Sequence, residues 1–183
     1  MRASSWTGPF GTWGATGPGE LARRLPCDEH LPVPDQRLVR AVEVDAAPEH
    51  VFRWLCQLRA APYSYDWVDN LGRRSPPQLT PGLERLEVGQ RVMTIFRLVA
   101  FEPGRSITIV HDGRLFGRVA GTYLVEPGLG AQSRIFVRLL VRYPRTPLGA
   151  ALSLLLPAGD TVMMRKQLLT LRRYAAASPA APR

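Results

Sequence analysis

From Leu38 to Asp45 side chains fall on two alternating phases, with Leu38, Arg40, Val42 and Val44 on one and Val39, Ala41, Glu43 and Asp45 on the other. That period of two is the mark of a strand whose faces are buried differently. At Ala46 the period changes. Pro48 suits the first helical position and Glu49 the first turn, after which Val51, Trp54, Leu55 and Leu58 recur at helical spacing. The pattern therefore predicts a strand feeding a helix with one apolar face to bury. Tyr63-Ser64-Tyr65-Asp66-Trp67 comes next, closed by Asn70 and Gly72 as a short helical turn with a glycine stop. In the loop 73–90, Pro76, Pro77 and Pro81 deny regular structure, and Gly89 ends it.

The period returns to two at Arg91. A strand from Val92 to Leu98, with a break near Ile95, runs on to Phe101, and Glu102-Pro103-Gly104 turns the chain. Ser106 to Asp112 and Val119 to Val125 follow as strands, with turns at Gly113 and at Pro127-Gly128-Leu129-Gly130. Next, Arg134, Phe136, Arg138, Leu140 and Arg142 alternate with Ile135, Val137, Leu139 and Val141. The aliphatic face must look inward, which leaves the arginine face as a solvated outer surface. Pro144 and Pro147 end the sheet, and the apolar segment to Leu156 is expected to stop at Pro157-Ala158-Gly159. Asp160 then caps the last helix, whose Thr161, Met164, Leu168, Leu171 and Ala175 make one stripe, widened by Leu169. This order predicts an α+β fold in which an antiparallel sheet wraps the last helix.

Before the first strand lies a leader, residues 1–36, rich in Gly and Pro, with a helical turn only at Gly19 to Leu25. It is expected to drape over the domain, residues 37–177, with Trp6, Phe10 and Trp13 either anchoring it or covering a pocket mouth. A disordered tail is expected at 178–183.

Val44 to Leu55 and Tyr63 to Gly72 resemble the strand-to-helix junction and the "YSYDWLDNLG" run of the START/Bet v1-like (SRPBCC) superfamily, in its polyketide cyclase/dehydrase-like form. Trp13-Gly14-Ala15-Thr16 and Leu25-Pro26-Cys27-Asp28-Glu29 are similar to that family's leader, although Cys27 stands where a glycine is usual. Leu86-Glu87-Val88-Gly89-Gln90 and Phe101-Glu102-Pro103-Gly104-Arg105 are similar to its strand-turn punctuation, whereas Arg59-Ala60-Ala61-Pro62 replaces glycines. The resemblance covers most of residues 13–175. It implies the helix-grip fold, a curved antiparallel sheet around a long C-terminal helix, with a cavity between them for apolar or aromatic molecules. By family name it also implies cyclase, aromatase or dehydratase chemistry on polyketide-like substrates.

Composition narrows the classes. A chain of 183 residues with 45% hydrophobic content suits one domain with a proper core. The net charge of +9 comes from arginines spread from Arg2 to Arg183 with Lys166 as the lone lysine, so it is a sum and not a patch. No nucleic-acid module is recognisable, and a nucleic-acid partner is not expected. Two cysteines make no framework, which reads as a reduced, cytoplasmic protein. No apolar signal core follows Arg2. The run Leu148 to Leu156 is roughly half of the ~20 residues a span requires, so no membrane span is expected.

The chemistry is sparse. His30, His50 and His111 do not cluster, so no metal and no cofactor is expected. His111 is in phase with Ile107 and Ile109 and can point inward as a tunable proton carrier, or serve as a strand-end hydrogen-bonding residue. Asp66 and Asp69 can share a helical face as an acid/base pair, or simply cap and solvate it. Tyr63 and Tyr65 offer hydroxyls and Trp67 a stacking face, and Tyr123 joins them by strand parity. Ile107, Ile109, Val137, Leu139, Met164 and Leu168 are the expected pocket walls. Neither a serine elbow nor a phosphate loop is present. Binding of a small hydrophobic or aromatic ligand therefore ranks first, cyclase-type catalysis through His111 or Asp66 second, and surface binding through arginines third. Ligand identity and oligomeric state are not legible.

Overall fold

Strand alternation divides the chain between two buried faces of a single sheet. The computed structural model describes residues 10–15, 17–69, 72–113 and 117–177; Trp6, Asn70, the tail 178–183 and the side chain of Asp69 lie outside these. The strands are β1 (Thr12–Trp13), β2 (Gln36–Val44), β3 (Arg91–Val92), β4 (Phe96–Glu102), β5 (Ser106–Gly113), β6 (Gly117–Pro127) and β7 (Ser133–Arg142). The helices are α1 (Pro18–Ala22), α2 (Cys27–His30), α3 (Pro48–Cys56), α4 (Asp66–Asp69) and α5 (Pro147–Ala177). The sheet is open and curved, in the order β1-β2-β7-β6-β5-β4-β3, with the long α5 against it. This is the α+β, helix-grip arrangement.

One pair departs from the expected antiparallel sheet. β1 runs parallel to β2, because the leader passes alongside β2 in the same direction before crossing the sheet, whereas the remaining pairs are antiparallel. The predicted break near Ile95 is a turn at Met93–Ile95, where Met93 and Thr94 both take positive φ, 46° and 67°.

On the concave face, Leu38, Ile107, Ile109, Tyr123 and Val137 pack against Val51, Trp54 and Leu55 of α3 and Met164, Leu168 and Leu171 of α5. The last helix does not begin at Asp160. It begins at Pro147 and runs through Pro157, so Asp160 is not its cap. A proline within a helix costs about 3 kcal/mol in isolation. Here Pro157 is buried, the Thr161 hydroxyl donates to its carbonyl at 2.7 Å, and Arg40 grips Asp160 and Thr161 one turn later. Tertiary packing overrides the local propensity. Continuity also undoes the argument from a short apolar run: α5 has an 18-residue window apolar enough to cross a membrane by length and composition, and 17% of that window is buried. From Met164 onward the helix enters the core.

The convex face carries the other correction. The arginine face of β7 is not solvated, because the leader covers it. Leu25, Cys27 and Leu31 of the leader pack on Val39, Ala41, Ala120, Leu124, Phe136 and Leu140. Arg138 is fully buried and donates to the Glu20 and Leu21 carbonyls at 3.0 Å, and to Asp28 at 3.0 Å. Those carbonyls belong to the last turn of α1, where a helix has no partners of its own to offer. Arg134 meets Glu20 at 2.9 Å, and Arg23 makes a forked pair with Glu126 at 2.7 and 2.6 Å. Gly14 permits the crossing: at φ 73°, a Cβ there would stand 2.0 Å from the Ala41 carbonyl oxygen.

Arg138→Ala tests this docking, since it removes the donor to the Glu20 and Leu21 carbonyls and to Asp28, which retains the Leu25 N–H and Arg37. A loss of about 3–5 kcal/mol in denaturant unfolding is expected, with faster proteolysis within residues 18–31. Unchanged stability with a protected leader would contradict it.

Candidate functional site

The site grows out of α3. Its helical period turns Trp54 inward, and the chain returns through Pro62 to Tyr63, a non-glycine residue with φ of 57°. Trp54, Tyr63 and Tyr174 of α5 form an aromatic cluster, with Trp54–Tyr63 edge-to-face at 6.1 Å and Trp54–Tyr174 tilted at 5.2 Å. Positive φ at Tyr63 is unfavourable by itself and persists where surroundings hold it. Gln167 is what holds it, donating from Nε2 to the Pro62 carbonyl at 2.6 Å.

Gln167 is buried on the α5 stripe and is the hub of a polar chain inside apolar walls. Tyr123 donates its hydroxyl to Gln167 Oε1 at 2.8 Å. Met93 Sδ lies 3.1 Å from Gln167 Nε2, and Met164 Sδ lies 3.5 Å from the Tyr123 oxygen. The strained turn at Met93–Thr94 and the strained Tyr63 thus converge on the same side chain. Burial pushes both phenols, Tyr63 and Tyr123, well above the usual tyrosine range, so both stay protonated. The Tyr63 hydroxyl is buried with no hydrogen-bond partner among the described residues.

The sequence-predicted residues are placed as follows. Tyr63, Ile109, Tyr123, Val137, Met164 and Leu168 are buried in one core cluster on the concave side. The space between sheet and helix expected as a cavity is filled by Met164, Leu168 and Leu171 together with Tyr123. His111, half-buried at the end of β5, bonds the Ile95 carbonyl through Nδ1 at 3.0 Å and lies edge-on to Phe96. Asp66 accepts from the Ser75 backbone N–H at 2.8 Å and the Ser75 hydroxyl at 2.5 Å, pinning the loop that follows α4. Tyr65 is half-buried, and Trp67 is 78% exposed. Sequence reasoning missed Gln167, Met93 and Tyr174. Gln167 had a signal, a polar residue three positions after Met164 on an otherwise apolar stripe.

Other groups offer less. Burial pushes the Cys56 thiol up to about 12 and raises Cys27 as well, so neither is a ready nucleophile. Among the described residues, no three His, Cys, Asp or Glu side chains converge as metal ligands would. Two depressions open to solvent, one of about 560 Å³ at the start of α5 between Tyr143 and Ser153, and one of about 680 Å³ beside Glu43, Lys166 and Arg173.

No family model matches the chain, and no curated protein matches it. Solved structures do. A hypothetical protein of Helicobacter pylori superposes with a TM-score of 0.53 at 14% identity, covering 84% of this chain and 96% of its own. A protein of Thermus thermophilus gives 0.52 at 17% identity, over 79% of this chain and 99% of that one. The Aha1 dimer of Colwellia psychrerythraea gives 0.50 at 14% identity, over 79% and 98%. At such identities the likeness is one of fold.

Removing the unpartnered hydroxyl tests the geometry. Tyr63→Phe is expected to raise stability by about 1 kcal/mol in urea unfolding of the ligand-free protein, since a buried unsatisfied hydroxyl is costly. A loss of stability would mean that the hydroxyl is bonded.

Proposed function

We propose that this chain, a divergent member of the START/Bet v1-like superfamily, binds a small apolar or aromatic molecule on the concave side of its sheet. Ile109, Val137, Met164 and Leu168 are its walls, with Tyr63, Tyr123 and Gln167 orienting any polar group. Tyr65 and Trp67 contact the ligand only at the mouth. The observation that carries this reading is the buried Tyr123–Gln167 pair, whose Gln167 also bonds the Pro62 carbonyl beside the strained Tyr63, a polar group set among apolar side chains. A buried hydroxyl without a partner calls for an explanation, and a polar group on a bound molecule would supply one here. Met93 and Met164 are unbranched and adaptable, so their side chains give way as the ligand enters.

Cyclase-type catalysis ranks second, because Asp66 is bonded to Ser75 and His111 to the Ile95 carbonyl. What supports leaving nucleic acid out is that Arg134 and Arg138 are committed to the leader. A cytoplasmic setting and the lack of a membrane span belong to the same proposal, the former supported by two free, buried cysteines.

The test is titration with hydrophobic fluorophores and aromatic polyketides, followed by product analysis of each binder. Saturable binding without turnover is expected, weakened about 3- to 10-fold by Gln167→Leu and little changed by His111→Gln. Absence of saturable binding would refute the reading. Conversion of a poly-β-keto compound that His111→Gln or Asp66→Asn abolishes, with binding intact, would install catalysis in its place.

A further inference from the structure

α5 buries its second half and leaves much of its first half bare. Leu148 is 51% exposed, Leu154 78%, Leu155 71% and Val162 54%. Leu148, Leu155 and Val162 recur every seven residues and so share one side of the helix, flanked by Leu154. A contiguous aliphatic row in water marks an interaction surface.

Charge selects the partner. From Arg145 to Ala177 the only acid is Asp160, and it is turned onto Arg40 at 2.8 Å. Arg145 precedes the helix, while Arg165, Lys166, Arg172 and Arg173 follow the apolar stretch, all of them exposed. We propose that this side of α5 docks on an anionic lipid bilayer. Its leucines and Val162 enter the boundary between headgroups and acyl chains, and the cations meet the lipid charges. Pairing with a second copy along α5 would instead set these cations against each other with no free acid on the helix to match them. The helix lies in the interface and does not span it, because from Met164 onward it is part of the protein core. This surface is separate from the ligand site and does not depend on it.

The test is flotation of the full chain with vesicles of phosphatidylcholine alone or mixed with phosphatidylserine, alongside sedimentation velocity without lipid. Wild type is expected to float with the mixed vesicles and to be released as salt rises. Leu154→Ser/Leu155→Ser, at positions already in solvent, is expected to keep the wild-type unfolding transition and lose about tenfold or more in bound fraction. Arg172→Ser/Arg173→Ser is expected to weaken flotation and flatten its salt dependence. Wild type left unbound, equal flotation with neutral vesicles, or a leucine variant that floats like wild type would each overturn the proposal. So would a dimer that the leucine variant converts to monomer.

Discussion

Two fully buried arginines, Arg40 and Arg138, sit on neighbouring strands and face opposite sides of the sheet, and much of the architecture follows from satisfying them. Arg40 donates to the Phe10 and Gly11 carbonyls at 2.9 Å each, to Asp160 at 2.8 Å and to Thr161 at 2.9 Å. It therefore joins leader, sheet and α5 at one point. Burial pushes the Asp160 carboxyl up to about 6 against the pull of Arg40, and it lowers Arg40 in turn. A buried pair of this kind contributes modest net stability, because desolvation offsets attraction, yet losing either partner strands a charge. Its value lies in fixing which elements meet. Arg138 does the same for the convex face, where backbone carbonyls of α1 do most of the accepting.

The register of α5 then decides the site. With Asp160 and Thr161 held by β2, Met164 and Gln167 fall one and two turns further along the same stripe, which brings them against Tyr123. Gln167 reaches across to Pro62 and holds Tyr63 in its unfavourable conformation. The geometry around Gln167 thus depends on an ion pair outside it.

Much of the fold was legible because alternation is a local signal: Leu38 to Val44, Ile135 to Val141 and the helical spacing after Pro48 each name a buried face. The errors came where tertiary contacts outvote local rules. Pro157 reads as a helix stop, and only the grip of Arg40 on Asp160 and Thr161, distant in sequence, shows why the helix continues. Arg134 and Arg138 read as solvated because nothing in their own strand announces a leader arriving with Glu20 and Asp28. Strand parity puts Tyr123 on the concave face, where it is buried in one core cluster with Tyr63. Gln167 stood in plain view on an apolar stripe, but its partners, Pro62 and Tyr123, are contributed by other elements.

Methyl-labelled methionine NMR reports on ligand entry at the Tyr123–Gln167 pair. Met93 and Met164 line the Tyr123–Gln167 cluster, while Met163 meets Ser64 through its backbone carbonyl. On addition of a saturating hydrophobic ligand, the account predicts shifts at the Met93 and Met164 methyls and little change at Met163. Saturable binding that leaves both unmoved would place the ligand elsewhere and contradict the account.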